Sequence, residues 1–101
     1  MAGNYDSLKK VLGRAYIRAS EGKGKERHAD GKPFNQQPIV TELHAFKTPA
    51  PALFQVRKKA LESMRLSADR AQDELLDVIV YAAAAWLYIE ESKSKIETPT
   101  N

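Results

Sequence analysis

The 101-residue sequence contains no cysteine, which excludes disulfide cross-links, thiolate nucleophiles and cysteine-based metal sites. It also has no long hydrophobic run. The longest, Val78 to Ile89, falls well short of the about 20 apolar residues needed to cross a bilayer, so no membrane association is expected. The N-terminal MAGNYDSLKK has no apolar segment of the kind a secretory signal requires, and the expectation is a soluble, cytoplasmic protein. Strand patterning is nearly missing. Only Pro38-Ile39-Val40 hints at it, and proline has no N–H to give to a sheet. No repeat period is present.

What is present is helical periodicity. Leu8, Leu12, Ala15 and Ala19 recur at helical spacing behind Asn4 or Asp6 as a cap, predicting a first helix to about Ser20. A short second helix is expected over Gln37–Phe46, with Pro38 in its first turn, where a missing N–H costs nothing. Thr48-Pro49-Ala50-Pro51 stops the chain, and a third helix is expected from Pro51 or Ala52 to about Leu66. Ser67 caps a fourth, from Ala68 to about Lys93, with Asp69 suited to its positive end. The expected fold is all-α, a small bundle of four helices in one domain over 1–95. A glycine/basic loop at 21–36 interrupts it, and a frayed tail follows at 96–101.

From Leu75 to Ile89 the fourth helix carries a single charge, Asp77, and reads as apolar nearly all round. Three short helices cannot easily cover such a surface. Burying each large side chain fully is worth about 1.5–3 kcal/mol, so the expectation is a homo-oligomer. Its interface is placed at Tyr81, Ala82, Ala85, Trp86 and Ile89, where the alanines admit a close helix and the aromatic rings supply area.

Charge is unevenly placed. Residues 1–59 hold twelve Lys or Arg against five Asp or Glu, a balance of +7, whereas residues 60–101 hold four against eight, or −4. Such asymmetry reads either as one part meeting an anion or as like charges spaced over a solvated surface. Lys10, Arg14 and Arg18 recur every four residues and align in one positive row.

The segment that fits an anion best is EGKGKERHADGKPFNQQP, from Glu21 to Pro38. Gly22 and Gly24 let backbone N–H groups approach a phosphate. Lys23, Lys25 and Lys32 supply point charges, Arg27 a bidentate donor and His28 a further donor. Phe34 can stack on a base, Gln37 can read its polar edge, and Arg18 deepens the positive field. A Walker loop is absent, and no strand precedes the glycines as a dinucleotide fingerprint requires. Glu21, Glu26 and Asp30 offset much of the charge, so a solvated surface loop is the competing reading. His44, on the short helix, reads as structural.

A second cluster opens the fourth helix: Asp73, Glu74 and Asp77 share a face and could hold Mg2+, or could form a solvated face paired with Arg70. The run DELLDVIVYAAAAWL resembles the second metal-binding helix of the MazG-like all-α nucleotide pyrophosphohydrolases, Glu74 and Asp77 matching its Glu-x-x-Asp pair. That resemblance implies a Mg2+-dependent hydrolase. The family's Glu-Glu-x-x-Glu cluster on an earlier helix has no counterpart, since only isolated Glu42 and Glu62 are available. The loop GKGKERHADGKPFNQQPI also resembles a segment of small phage accessory proteins, which implies an anti-defence binder that sequesters a nucleotide signal.

With no nucleophile and no acid–base pair at recognisable spacing, no catalytic residue is assigned. The leading expectation is a protein that holds a phosphate-bearing small molecule, such as a cyclic nucleotide or an ADP-ribose derivative, without a cofactor. The alternatives are the Mg2+ enzyme, a nucleic-acid binder using Lys10, Arg14, Arg18, Arg57, Lys58 and Lys59, and a protein inhibitor.

Overall fold

A computed structural model describes residues 2–21 and 31–97, with side chains as far as 93. All of its regular structure there is helical. A 3-10 turn, Ala2–Tyr5, leads into α1, Asp6–Glu21; a second, Phe34–Gln36, precedes α2, Pro38–Phe46; α3 spans Ala50–Ser63 and α4 Ala68–Glu97.

Local chemistry explains the boundaries. Gln37 is the N-cap of α2, its extended backbone (φ −91°, ψ 158°) handing over to Pro38 in the first turn. The helix ends at Lys47, which sits left-handed (φ 61°, ψ 36°) and donates its N–H to the Leu43 carbonyl. α3 begins at Ala50, one residue before the expected Pro51, because Pro49 takes the cap position and accepts from Ala52 and Leu53. It stops three residues before Leu66, where Arg65 N–H to Glu62 O (3.0 Å) and Leu66 N–H to Ser63 O (3.4 Å) tighten the chain into turns. α4 begins directly after Ser67 as expected, the Ser67 carbonyl accepting from Ala71 N–H at 2.8 Å. α4 runs on through Glu97, so the first residues expected to fray continue the helix, and 98–101 lie outside the described residues.

α4 is the mast of the fold. α3 packs along it most extensively, and α1 and α2 also make their main inter-helix contacts with it. The core is small: Val40 and Leu43 from α2, Ala52 from α3, and Ala84 and Ala85 from α4, with Phe34, Ile39, Tyr81 and Tyr88 packed around them. Ala15 of α1 is buried separately. A T-shaped contact between His44 and Tyr88, ring centroids 4.9 Å apart, joins α2 to α4.

Two expectations about α4 need correction. It is long, at 30 residues, but not apolar throughout: its first ten residues include Asp69, Arg70, Asp73, Glu74 and Asp77. Among the described residues no helix is long and apolar enough to cross a membrane. Ala85, expected at an interface between copies, is 5% exposed and belongs to this chain's own core. Tyr81 also leans on that core. The reason is helical phase: Tyr81, Ala85 and Tyr88 step by four and three and share the side facing α2 and α3. Ala82, Trp86 and Ile89 face outward, with Trp86 63% exposed.

Candidate functional site

Between α1, the segment 31–37 and α4 lies an open groove of 910 Å³. α1 contributes Leu12, Ala15, Tyr16, Ala19 and Ser20. Gly31, Lys32, Pro33, Phe34 and Gln37 form the second side, and Ile79, Val80 and Ala83 of α4 form the third. The volume falls within the range of small-molecule sites, which are mostly apolar with a few fixed polar groups. Tyr16 and Phe34 supply ring faces, and Lys32, Ser20 and Gln37 supply charge and hydrogen-bonding groups.

The second side is held in shape by its own bonds. Gly31 adopts φ 75°, a conformation that favours glycine, and turns the chain into the groove wall. Gln37 Nε2 donates to the Lys32 carbonyl at 2.9 Å, closing the turn on itself. Asn35 Nδ2 donates to Glu91 Oε2 at 3.1 Å, and Glu91 Oε1 lies 2.7 Å from His44 Nε2. One carboxylate of α4 thus ties α2 and the Phe34 turn together, the structural role expected of His44. On the first side, Ser20 Oγ donates to the Tyr16 carbonyl at 2.8 Å. Among the described residues Lys32 makes no ion pair.

Of the residues expected to bind a phosphate-bearing ligand, Lys32, Phe34 and Gln37 are brought together in this groove. Gly22, Lys23, Gly24, Lys25, Arg27 and His28 lie outside the described residues. Arg18 does not line the groove. Its Nε donates to Asp77 Oδ1 at 2.7 Å and its Nη2 to Asp77 Oδ2 at 3.3 Å, with Asp73 3.8 Å away. That hydrogen bond raises the guanidinium pKa further, against the opposing effect of burial.

The acidic face at the start of α4 is an ion-pair network. Lys59 of α3 reaches Glu74 Oε1 at 3.0 Å and Asp77 Oδ2 at 3.4 Å. Burial by itself lowers the Lys59 pKa, but the Glu74 hydrogen bond and the charges of Asp77 and Glu74 outweigh it and the net shift is upward. Glu74 and Asp77, the pair matched to a Mg2+ site, therefore face Lys59 and Arg18, not the expected Arg70. Among the described residues no three or more His, Asp or Glu are grouped to hold a metal ion.

Sequence reasoning missed the apolar side of the groove. Leu12, Tyr16 and Ala19 carried the signal, a helical stripe that reads as core. Here Leu12 is 48% and Tyr16 72% exposed. No family model matches this chain, and neither a curated protein nor a solved structure matches it.

Proposed function

We propose that this protein binds and sequesters a small molecule carrying a flat ring and a phosphate or similar anion, and that copies assemble to do so. The observation that carries the reading is the groove: apolar walls of ligand-site size, two aromatic rings, and a lysine with no ion pair among the described residues at its edge. A base or other ring lies against Tyr16 and Phe34. Lys32 meets the anion and Gln37 a polar edge, which suits a nucleotide-derived signal such as a cyclic nucleotide or an ADP-ribose derivative. Glycines 22 and 24 and the cations of 22–30 follow α1 directly in sequence and would add phosphate donors. Sequestration is favoured over turnover because Glu74 and Asp77, the carboxylates matched to a Mg2+ site, are occupied by Arg18 and Lys59. A phage anti-defence sponge is one setting in which such holding is useful.

Assembly is supported by the uncovered apolar surface. Among the described residues only Val40 and Leu43 of the larger side chains are fully buried, whereas Tyr5, Leu8, Tyr16, Phe54, Met64 and Trp86 are each more than half exposed.

The test is capture and release. Protein is mixed with nucleotides, cyclic dinucleotides and ADP-ribose species with Mg2+ present; the free fraction is filtered off and the protein is heat-denatured. A compound that disappears and returns unchanged supports the reading, and Lys32→Ala and Phe34→Ala should each weaken its capture by about tenfold or more. Return of a different compound makes this an enzyme. If nothing is captured, the reading is wrong.

A further inference from the structure

We propose that a second copy of this chain packs antiparallel on the outer face of α4, centred on Ala82, and that its Trp86 completes the groove. The inference rests on the binding reading above for what the groove holds, while the pairing stands on the surface of α4.

Leu75, Ile79, Ala82, Trp86 and Ile89 step along α4 by four, three, four and three, the spacing of a helix–helix seam, on the side opposite the core residues Ala84 and Tyr88. Leu75 is 45%, Trp86 63% and Ile89 49% exposed, and Ala82 is exposed as well. The stripe is self-complementary about Ala82. Turned end for end, Leu75 falls opposite Ile89, Ile79 opposite Trp86 and Ala82 opposite itself. A two-fold interface needs that match, because each copy offers the same patch. The small residue lies where the helices cross most closely, and the bulky pairs flank it. A parallel pairing would instead stack Trp86 on Trp86.

No charge interrupts the stripe. A tryptophan so exposed shows on the order of 150 Å² and the whole stripe several hundred. Leu12 and Tyr16 line the groove and are left to its occupant, so the pairing surface is the α4 stripe itself, at the small end of the about 800 Å² per partner of a standard interface.

The pairing reaches the site through Ile79, which belongs to the seam and also lines the groove. Trp86 of the second copy, seated on Ile79, stands at the groove's open edge beside Ala83 and turns an indole towards whatever occupies it. A ligand held there contacts two subunits, so capture and assembly strengthen each other.

The cysteine-free chain makes the test direct. Mild oxidation of Ala82→Cys should give a covalent dimer, because the two Cα atoms come within about 7 Å. Ile79→Cys mixed with Trp86→Cys should give a cross-linked heterodimer, whereas Leu75→Cys alone should not link to itself. Linking of Leu75→Cys to itself, or failure of the Ile79/Trp86 mixture, overturns the proposal without any ligand. Trp86 is the only tryptophan, so its emission reports on the groove directly. ADP-ribose retained by the protein should quench it, and Trp86→Lys should lower retention at least tenfold while the helical circular dichroism persists. Retention with unchanged emission overturns the shared site but leaves the binding reading intact. If ADP-ribose and the nucleotide panel are not retained while the Ile79/Trp86 link forms, the binding reading alone fails.

Discussion

Asp77 is the side chain on which the bundle's polar flank converges, and Asp77→Asn measures what that convergence is worth. Asp77 accepts two bonds from Arg18 of α1, at 2.7 and 3.3 Å, and lies 3.4 Å from Lys59 of α3. Losing a partner in a fully buried pair costs about 3–5 kcal/mol, and in an exposed pair about 0–1 kcal/mol. Here the side chains are 37% exposed for Arg18 and 24% for Asp77, so water recovers much of the loss. Two further effects reduce it. Lys59 keeps Glu74 at 3.0 Å, and removing one of three clustered carboxylates relieves repulsion of about 0.2–0.5 kcal/mol per neighbour. The balance is a destabilisation of about 1–2 kcal/mol, read as a lower urea midpoint at fixed protein concentration. Asp73→Asn is the control: at 3.8 Å from Arg18 and 59% exposed, its side chain should change stability by less than about 0.5 kcal/mol. An unchanged or raised midpoint for Asp77→Asn would refute the reasoning. The carboxylates would then be clustered at a cost to the fold, as a cation or ligand site is.

Leu43→Ala removes a fully buried large side chain, 1% exposed, and should cost about 2–5 kcal/mol by chemical denaturation, enough to unfold so small a core. Lys47→Gly relieves a side chain held at φ 61° and should raise the melting temperature by a few degrees, about 0.5 kcal/mol net of glycine's unfolded-state entropy. The Lys59 pKa is raised above its ordinary 10.5, so its stabilisation is fully present below that pH and is lost as pH rises through the folded-state value. The gap in urea midpoint between wild type and Lys59→Met should therefore be constant from about pH 7 to 9 and close above about pH 10.5.

The helices were legible because their ends are written in local chemistry. Pro38 after Gln37, the Thr48–Pro51 break and Ser67 before Ala68 each act within one turn, and the structure places boundaries within a few residues of them. What covers a helix is a different kind of fact. The stripe of Leu8, Leu12, Ala15 and Ala19 says that these residues share a side of α1, but only Ala15 is buried there. Periodicity gives the phase of a face and says nothing of the surface against it. Ala85 failed for the same reason, since a run of four alanines carries too little contrast to show which side faces the core. Groove residues on α4 were hidden likewise: Ile79, Val80 and Ala83 differ from their neighbours only in what lies opposite, and that is set by α1 and the segment 31–37, more than 40 positions away.

The charge asymmetry finds much of its explanation inside the molecule. Arg18 and Lys59, from the basic part, pair with Asp73, Glu74 and Asp77 of the acidic part, 15 to 59 positions apart in the closest and widest pairs. Both are thereby withdrawn from the rows proposed to meet a nucleic acid backbone. Lys10 and Arg14 remain exposed on α1, and Arg57 and Lys58 on α3. Four phosphate contacts would give a salt slope of about −3.6 in log–log terms. A basic face thinned in this way by its own chain is weaker ground for nucleic acid than an apolar groove with a lysine at its edge. For Arg18 and Lys59 of the +7 half, the anion met is the chain's own fourth helix.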